Sequence, residues 1–484
     1  LPAEIGGMFF RANQKNVSAL IEHLGLPVEP VEFKRAGQFV RGRWVSETDY
    51  GSNSFPFDIE SSARAGGPTA VLLDALEKIA PGSTDLWPIN REAPRSAQDT
   101  FNWLRKQRHN GRPLEAFSLW SVFQEAVGNE AYAFLTSTLG TTSLFRNFNA
   151  FDGVWSLLHE IGDGRGFRLC DGYQQLPMEL ATRASDAGVA IKLGHRLQSV
   201  VRDGDGFKLS FVTDDNRQLV ERARCVVLAL PQRALQLISL SQDLFKDAAA
   251  FTRVRDGAVA PMRSCKIFLT YEAPWWAEAL APSQISARYT DLPMQQSYAF
   301  GSAVPGDSAL LMAAYADDVA ATFWRPLAGG GAAFASASNS QACELTASEA
   351  LVASVRQQLA KLHGREETPA PDGALYFDWG ADPYGGAWHA WAPHYKSWEI
   401  RPWMRQPNPT LDLYICGEAY AQRNGWVEGA INSAERTLER LGLSRPVWIT
   451  DPDFQFEIDD GGVEHDDGNH ANVQRDVLGH VAAA

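Results

Sequence analysis

The spacing of apolar residues changes several times along the chain, and each change marks an element boundary. From Asn16 to Leu24, Val17, Leu20, Ile21 and Leu24 recur at helical spacing. Phe33 to Trp44 alternates instead, which predicts two short strands around Gly42. Between residues 66 and 165 the helical period returns. Val71 to Ile79, Ala97 to Lys106, Ser118 to Val127 and Ala131 to Leu139 read as helices punctuated by Gly and Pro. Near residue 165 the texture changes. Gly166 to Cys170 leads into Gly172-Tyr173-Gln174-Gln175-Leu176-Pro177, which opens a helix reaching Ala187. Val189 to Leu193, Leu197 to Arg202, Phe207 to Val212 and Cys225 to Leu230 then read as strands rich in Val, Ile and Leu. Residues 236–258 read as helical, and 262–272, 295–301 and 309–316 as strands of a second sheet. A Gly/Ala/Ser-rich loop covers Ala328 to Ser340, and Ala347 to Leu362 reads as a helix. Leu413 to Cys416 is a short buried strand, followed by a helix from Val427 to Leu441. Beyond Pro446 the periodicity fades.

Segments of parallel-strand character are thus separated by long helical or β insertions. This predicts an α/β (α+β two-domain) chain: a discontinuous nucleotide-binding domain with an inserted substrate domain of helices and a mixed β-sheet. Composition agrees. The 484 residues, 45% of them hydrophobic, suffice for two packed domains. The formal net charge of -14 disfavours nucleic acid or an anionic membrane as partner. Part of that charge is local, because Asp451 to Asp467 carries eight acidic residues and reads as a solvated tail. The five cysteines are scattered and never in CxxC spacing, which argues against a disulfide framework, an iron–sulfur cluster or a zinc knuckle. Cys225 and Cys265 lie in apolar runs and read as inert thiols. No apolar run of 18 residues and no signal peptide is visible, so a cytoplasmic protein is expected. The chain opens on Leu1 rather than Met, from which a processed product, a trimmed chain or one subunit of a nicked precursor is expected.

The richest stretch is Leu413-Tyr414-Ile415-Cys416-Gly417-Glu418-Ala419-Tyr420, followed by Gly425-Trp426-Val427-Glu428-Gly429-Ala430. A buried strand ends at Gly417 and a helix starts near Val427. Gly429, in its first turn, lets something approach the backbone closely. A helix N-terminus aimed at a ligand favours negative charge, as on a reduced flavin. Glu418, just past the strand end, is placed to accept hydrogen bonds from ligand hydroxyls. On pattern alone, an ordinary strand–turn–helix with a surface carboxylate is the competing account. The stretch resembles the C-terminal flavin-binding motif of the flavin amine oxidase family, which includes monoamine, polyamine and L-amino-acid oxidases. Gly-Glu-Ala-Tyr…Gly-Trp-Val-Glu-Gly-Ala is close to the motif of bacterial L-amino-acid oxidases and amino-acid monooxygenases. Gly172 to Pro177 resembles the family's helix entry, and Val226-Val227-Leu228-Ala229-Leu230-Pro231 its strand end near the flavin. Leu197 matches the position whose backbone contacts adenine.

The resemblance covers roughly residues 1–445. It implies an FAD-binding domain from residues 1–55, 166–258 and 373–445, a substrate domain from 56–165 (helical) and 259–372 (sheet), and a tail from 446–484. It implies FAD contacts from Gly6, Gly7, Met8, Leu197, Gly417, Glu418, Trp426 and Val427. A lysine in a half-buried strand ordinarily snorkels to water. In the family, a lysine ten residues before a Trp holds a water at the flavin, and Lys266 and Trp276 keep that spacing. Monoamine oxidases carry a flavin-bonded cysteine before an aromatic. Here Ala387 precedes Trp388, which implies non-covalent FAD. Trp388 and Trp426 match the two aromatics that sandwich the substrate amine, a rigid apolar slot suited to a neutral amine. His389 and His394 fit no strong ligand spacing, so no metal is expected there.

Two departures qualify the resemblance. Glu4-Ile5-Gly6-Gly7-Met8 resembles the segment that normally follows a Gly-x-Gly-x-x-Gly unit. No such unit precedes it, and neither Gly162 to Gly166 nor Gly329 to Gly331 follows a strand and opens a helix. A second polypeptide, and so an oligomer, is expected to supply the ADP-binding segment. In amino-acid oxidases an Arg clamps the substrate carboxylate where this chain has Phe9. Arg11 sits too far along to replace it, and Arg146 is the alternative considered. The expected reaction is oxidation of an amine or L-amino acid to the imine, with oxygen reduced to peroxide. Amide formation by oxidative decarboxylation, or a degenerate structural subunit, are the rival readings.

Overall fold

The structure is a computed structural model. It describes residues 3–86, 97–160, 166–276, 280–281, 283–301, 309–329 and 347–451, with positions 454, 456 and 458. The glycine runs at 162–165 and 330–331, most of the Ala328 to Ser340 loop and most of the acidic tail lie outside the described residues. The chain divides into two compact units: 1–13, 27–172 and 262–387 form one, and 14–26, 173–261 and 388–484 the other.

The first unit is built on an eight-stranded mixed sheet. Its inner strands, Ser264–Tyr271 and Ala309–Asp317, pair antiparallel and are buried along nearly their whole length. Both faces are covered, so the sequence runs apolar without alternation. One face carries Ile267, Leu269 and Leu311 against Trp324, Leu351, Val355 and Leu359. Trp324 belongs to the Asp318–Ala328 helix, and the other three to the Glu349–Leu362 helix. The other face carries Phe268, Leu310 and Met312 against Met8, Val31 and Ile285, with Phe9 and Tyr315 beside them. The Gly67–Ile79, Ala97–Lys106, Leu119–Thr138, Thr142–Asn147 and Ala150–Glu160 helices make the helical part of this unit. Two helices expected around residues 118–139 form one element with a break at Gly128, whose φ is 77°. Strands Gln284–Tyr289 and Gly373–Asp378 escape a reading by alternation. The first buries polar Ser286 and Arg288, and the second is half-buried throughout.

The second unit packs a four-stranded sheet and a short parallel pair around one core. Strands His195–Asp203, Gly206–Thr213 and Gln218–Ala223 form an antiparallel meander. Val226–Ala229 pairs in parallel with Leu413–Cys416. Phe251, Trp391, Met404, Leu413 and Ile415 close the core beneath them. Helix Lys15–Leu24 ends on Gly25 in the left-handed region, at φ 69°. The 236–258 region is helical in two pieces, Gln232–Leu237 and Ala248–Gly257, rather than throughout. Val189 to Leu193 departs most from expectation, because no strand forms there. Val189, Ile191 and Leu193 are 55%, 48% and 85% exposed. A strand needs a hydrogen-bonded neighbour, and among the described residues this segment has none.

Candidate active site

In the first unit the site is organised by Lys266, at the third position of its strand. Alternation along the strand turns Lys266 onto the same face as Phe268, beside Met8 and Phe9. Cross-strand neighbours Tyr315 and Phe377 flank it. Only 3% exposed, Lys266 donates from Nζ to the carbonyl oxygens of Glu4, at 2.9 Å, and Gly6. The Tyr315 ring lies 4.9 Å from the ammonium nitrogen. Burial pushes the amine down to about 7, with Glu4 opposing the shift. Trp379 holds the same segment from the side, donating from Nε1 to Ile5 O at 2.6 Å. Two side chains thus fix Glu4 to Gly6 through their carbonyls, and Met8 is buried behind them. Trp276, ten residues after Lys266, packs edge-on against Trp275 and Tyr271 in the core.

Phe9 meets Phe33 edge-on, ring centroids 5.1 Å apart. It lines a small pocket with Glu4, Met8, Arg168 and Cys170. Arg168 is a residue the sequence reading missed. Strand pairing of Phe10 with Phe167 sets it opposite Phe9, a relation only the register reveals. Its Nε donates to Glu29 at 2.6 Å, so a carboxylate already faces it. Arg146 is engaged too. Its Nη1 contacts Asp318 at 3.2 Å, and its guanidinium lies 5.3 Å from the centre of the Trp120 ring.

In the second unit the strand Leu413–Cys416 ends at Gly417, whose φ of 128° lies in the region glycine favours. That turn delivers Glu418. Its Oε1 accepts from His389 N and Gly425 N, each at 2.7 Å, and its Oε2 from His389 Nδ1 at 2.9 Å. Trp388 stands next to His389, and Trp426 next to Gly425. Both aromatics are half-buried. Trp426 donates from Nε1 to Gln14 Oε1 at 2.8 Å, and the Tyr173 ring meets it at 6.0 Å. The Val427–Arg440 helix then begins. Its first amides, Val427 and Glu428, meet no protein acceptor among the described residues. Gly429 has a different reason from the one expected. A Cβ there would lie 1.8 Å from the carbonyl oxygen of Arg423, so the close approach is made by the chain itself. Leu197 lies half-buried at a register shift in its strand, opposite Phe211. Gln14 and His389 were not recognised as partners of the site. Neither has a periodic or motif signal, since their contacts lie far away in sequence.

Among the described residues no group of three or more His, Cys, Asp or Glu side chains gathers within metal-binding reach. Among them, too, no helix is long and apolar enough to cross a membrane.

The first unit thus holds a buried lysine over a glycine segment, and the second a Gly-Glu turn ahead of an open helix N-terminus. The chain matches the flavin containing amine oxidoreductase family over residues 1–441 and belongs to that family. It is 24% identical to achacin of Lissachatina fulica over 470 residues, covering 91% of this chain and 83% of achacin. It is 26% identical to L-amino-acid oxidase of Mus musculus over 291 residues, 59% of this chain and 40% of that protein. The family implies a flavin cofactor, and the residues present fit one. The Gly417 turn and the free amides of Val427 and Glu428 suit a planar ring that carries negative charge.

Proposed function

We propose that this protein is an FAD-dependent oxidase that converts an amine or L-amino acid to the imine. The imine then hydrolyses to a carbonyl compound and ammonia, and oxygen is reduced to hydrogen peroxide. The observation that carries the reading is Lys266: a buried amine with an acidity near neutrality, bound to the carbonyls of Glu4 and Gly6, in a chain of this family. FAD, when bound, supplies the hydride acceptor and hands the electrons to oxygen. Gly6, Gly7, Met8, Leu197, Gly417, Glu418, Trp426 and Val427 are the residues proposed to hold it. Ala387 offers no nucleophile for a covalent link. Lys266 orients a water and exchanges a proton with it. Trp388 and Trp426 supply apolar walls that favour the neutral amine.

Within this reading, a plain amine suits the substrate pocket better than an amino acid. Phe9 brings no charge, Arg146 is paired with Asp318, and Arg168 with Glu29. A substrate carboxylate would meet guanidinium groups that already face acids. An ADP-binding segment is proposed to complete the flavin site. The exposed alternating residues Val189, Ile191 and Leu193 support this, because they have the composition of a strand without the neighbour. Among the described residues the thiols of Cys170, Cys225, Cys265 and Cys416 are free, which suits the proposed reducing compartment, the cytoplasm.

The test is anaerobic mixing of the flavin-loaded protein with a panel of amines and amino acids. Bleaching of the flavin is expected, followed on aeration by carbonyl, ammonia and peroxide. A flavin that no amine bleaches would defeat the proposal, and amide with carbon dioxide would point to a monooxygenase. Lys266→Met should keep the flavin but lose roughly 100-fold or more in amine oxidation or reoxidation.

A further inference from the structure

We propose that His389 is a positioning residue for the aromatic pair Trp388 and Trp426, acting through Glu418. The inference rests on the reading of those two tryptophans as the walls that meet the substrate amine. One carboxylate oxygen, Glu418 Oε1, receives the amide that follows Trp388 and the amide that precedes Trp426, each at 2.7 Å. The backbone on both sides of the slot is therefore tied to a single atom. The other oxygen is taken by His389 Nδ1 at 2.9 Å. A carboxylate has about four acceptor positions, so three protein donors leave little freedom to swing. Opposite a carboxylate, Nδ1 carries the hydrogen, and bonds of this charged kind hold geometry better than neutral ones.

Three observations single out His389 rather than general packing. It is 1% exposed, so it is no surface group. Its Nε2 is buried and meets no partner among the described residues. An apolar residue of similar size would avoid that orphan, so the fold bears it for what Nδ1 does. Tolerances at the slot are also tight. Gly425, at φ 85°, lies so close to the Trp388 ring that a Cβ would stand 3.1 Å from Cε3. A small turn of the Glu418 carboxylate thus moves the Gly425 backbone against the ring, and with it the start of Trp426. Gln14 fixes the far end of Trp426 through the indole N–H. With that end pinned, releasing the carboxylate tilts Trp426 instead of translating it.

The experiment uses the full chain labelled with 5-fluorotryptophan, in which Trp388→Phe and Trp426→Phe assign two of the 15 resonances. His389→Leu should shift both signals. His389→Asn should return them towards wild type, because its amide nitrogen can donate where Nδ1 does. In the flavin-loaded enzyme, His389→Leu should raise KM for the amine about tenfold with kcat changed less than about threefold, and His389→Asn should recover most of the loss. Unmoved Trp388 and Trp426 signals in His389→Leu, or equal damage from Asn and Leu, would overturn the proposal. If His389→Leu does not fold, Glu418→Leu gives the same readout. It removes the acceptors of all three bonds, so both signals must move, and unmoved signals reject the idea. The fluorine signals report on positioning even in a protein that oxidises no amine, so failure of the oxidase reading is seen separately.

Discussion

A lysine kept 3% exposed among apolar side chains is costly when charged, and that cost is readable in its pH dependence. Lys266 ordinarily titrates at 10.5, and burial pushes it down to about 7 in the fold. Between those values the unfolded chain binds the extra proton, so stability rises with pH. Below about 7 both states carry the proton and the desolvation cost is fully present. Relative to Lys266→Met, the wild type should gain about 2 kcal/mol between pH 7 and 9, measured by urea unfolding at each pH. A flat difference would show that the amine stays charged throughout. Gly429 makes a second case at this scale. Its position near the motif's helix start is plain in the sequence, but what approaches it is not. Gly429→Ala should lower stability by about 2 kcal/mol or more in thermal unfolding, with or without flavin, because the clash is with the Arg423 carbonyl.

Helix Lys15–Leu24 shows how an element can depend on distant sequence. Its period is legible, yet its start is not, since Gln14 in the cap position makes no side-chain cap. The cap comes from Glu428, 412 residues away. Its carboxylate accepts from Asn16 N at 3.2 Å, Asn16 Nδ2 at 3.0 Å and Val17 N at 2.9 Å. Glu428→Ala should cost about 2–3 kcal/mol in urea unfolding, and the amides of Asn16 and Val17 should exchange faster with solvent. Loss of stability without faster exchange there would place the effect elsewhere. The same motif segment therefore starts one helix and caps another. Conversely, Val189 to Leu193 has the residues of a strand and forms none, because propensity cannot supply a hydrogen-bonded neighbour.

At the scale of the whole molecule, the proposed ADP-binding segment is open to direct measurement. Purified flavin-loaded sample should contain a Gly-x-Gly-x-x-Gly segment, either joined to this chain or as a second species, seen by intact mass and N-terminal sequencing. FAD retained by protein that lacks such a segment would end that proposal. The mixed α and β content and three strands of the large sheet, Ser264–Tyr271, Gln296–Phe300 and Ala309–Asp317, follow from apolar runs alone. The two-unit division does not follow so directly. Residues 27–55 were read with the chain's beginning, but strand Val28–Arg35 pairs with Gln284–Tyr289, so they fall in the sheet unit.

By itself the sequence determined where apolar faces lie, which residues punctuate them, and which family the motif resembles. Lys266, Glu418, Trp388 and Trp426 could be proposed as site residues through that resemblance, because motifs are constraints between neighbours along the chain. Tertiary structure alone decided what those residues touch. It set Glu4 and Gly6 over Lys266, Glu29 on Arg168, Asp318 on Arg146 and Gln14 on Trp426. Each contact joins residues that no short-range period relates, and each changes the charge or freedom of a site residue. Glu418, placed by its motif to accept from a ligand, gives three of its acceptor positions to the protein's own backbone and His389.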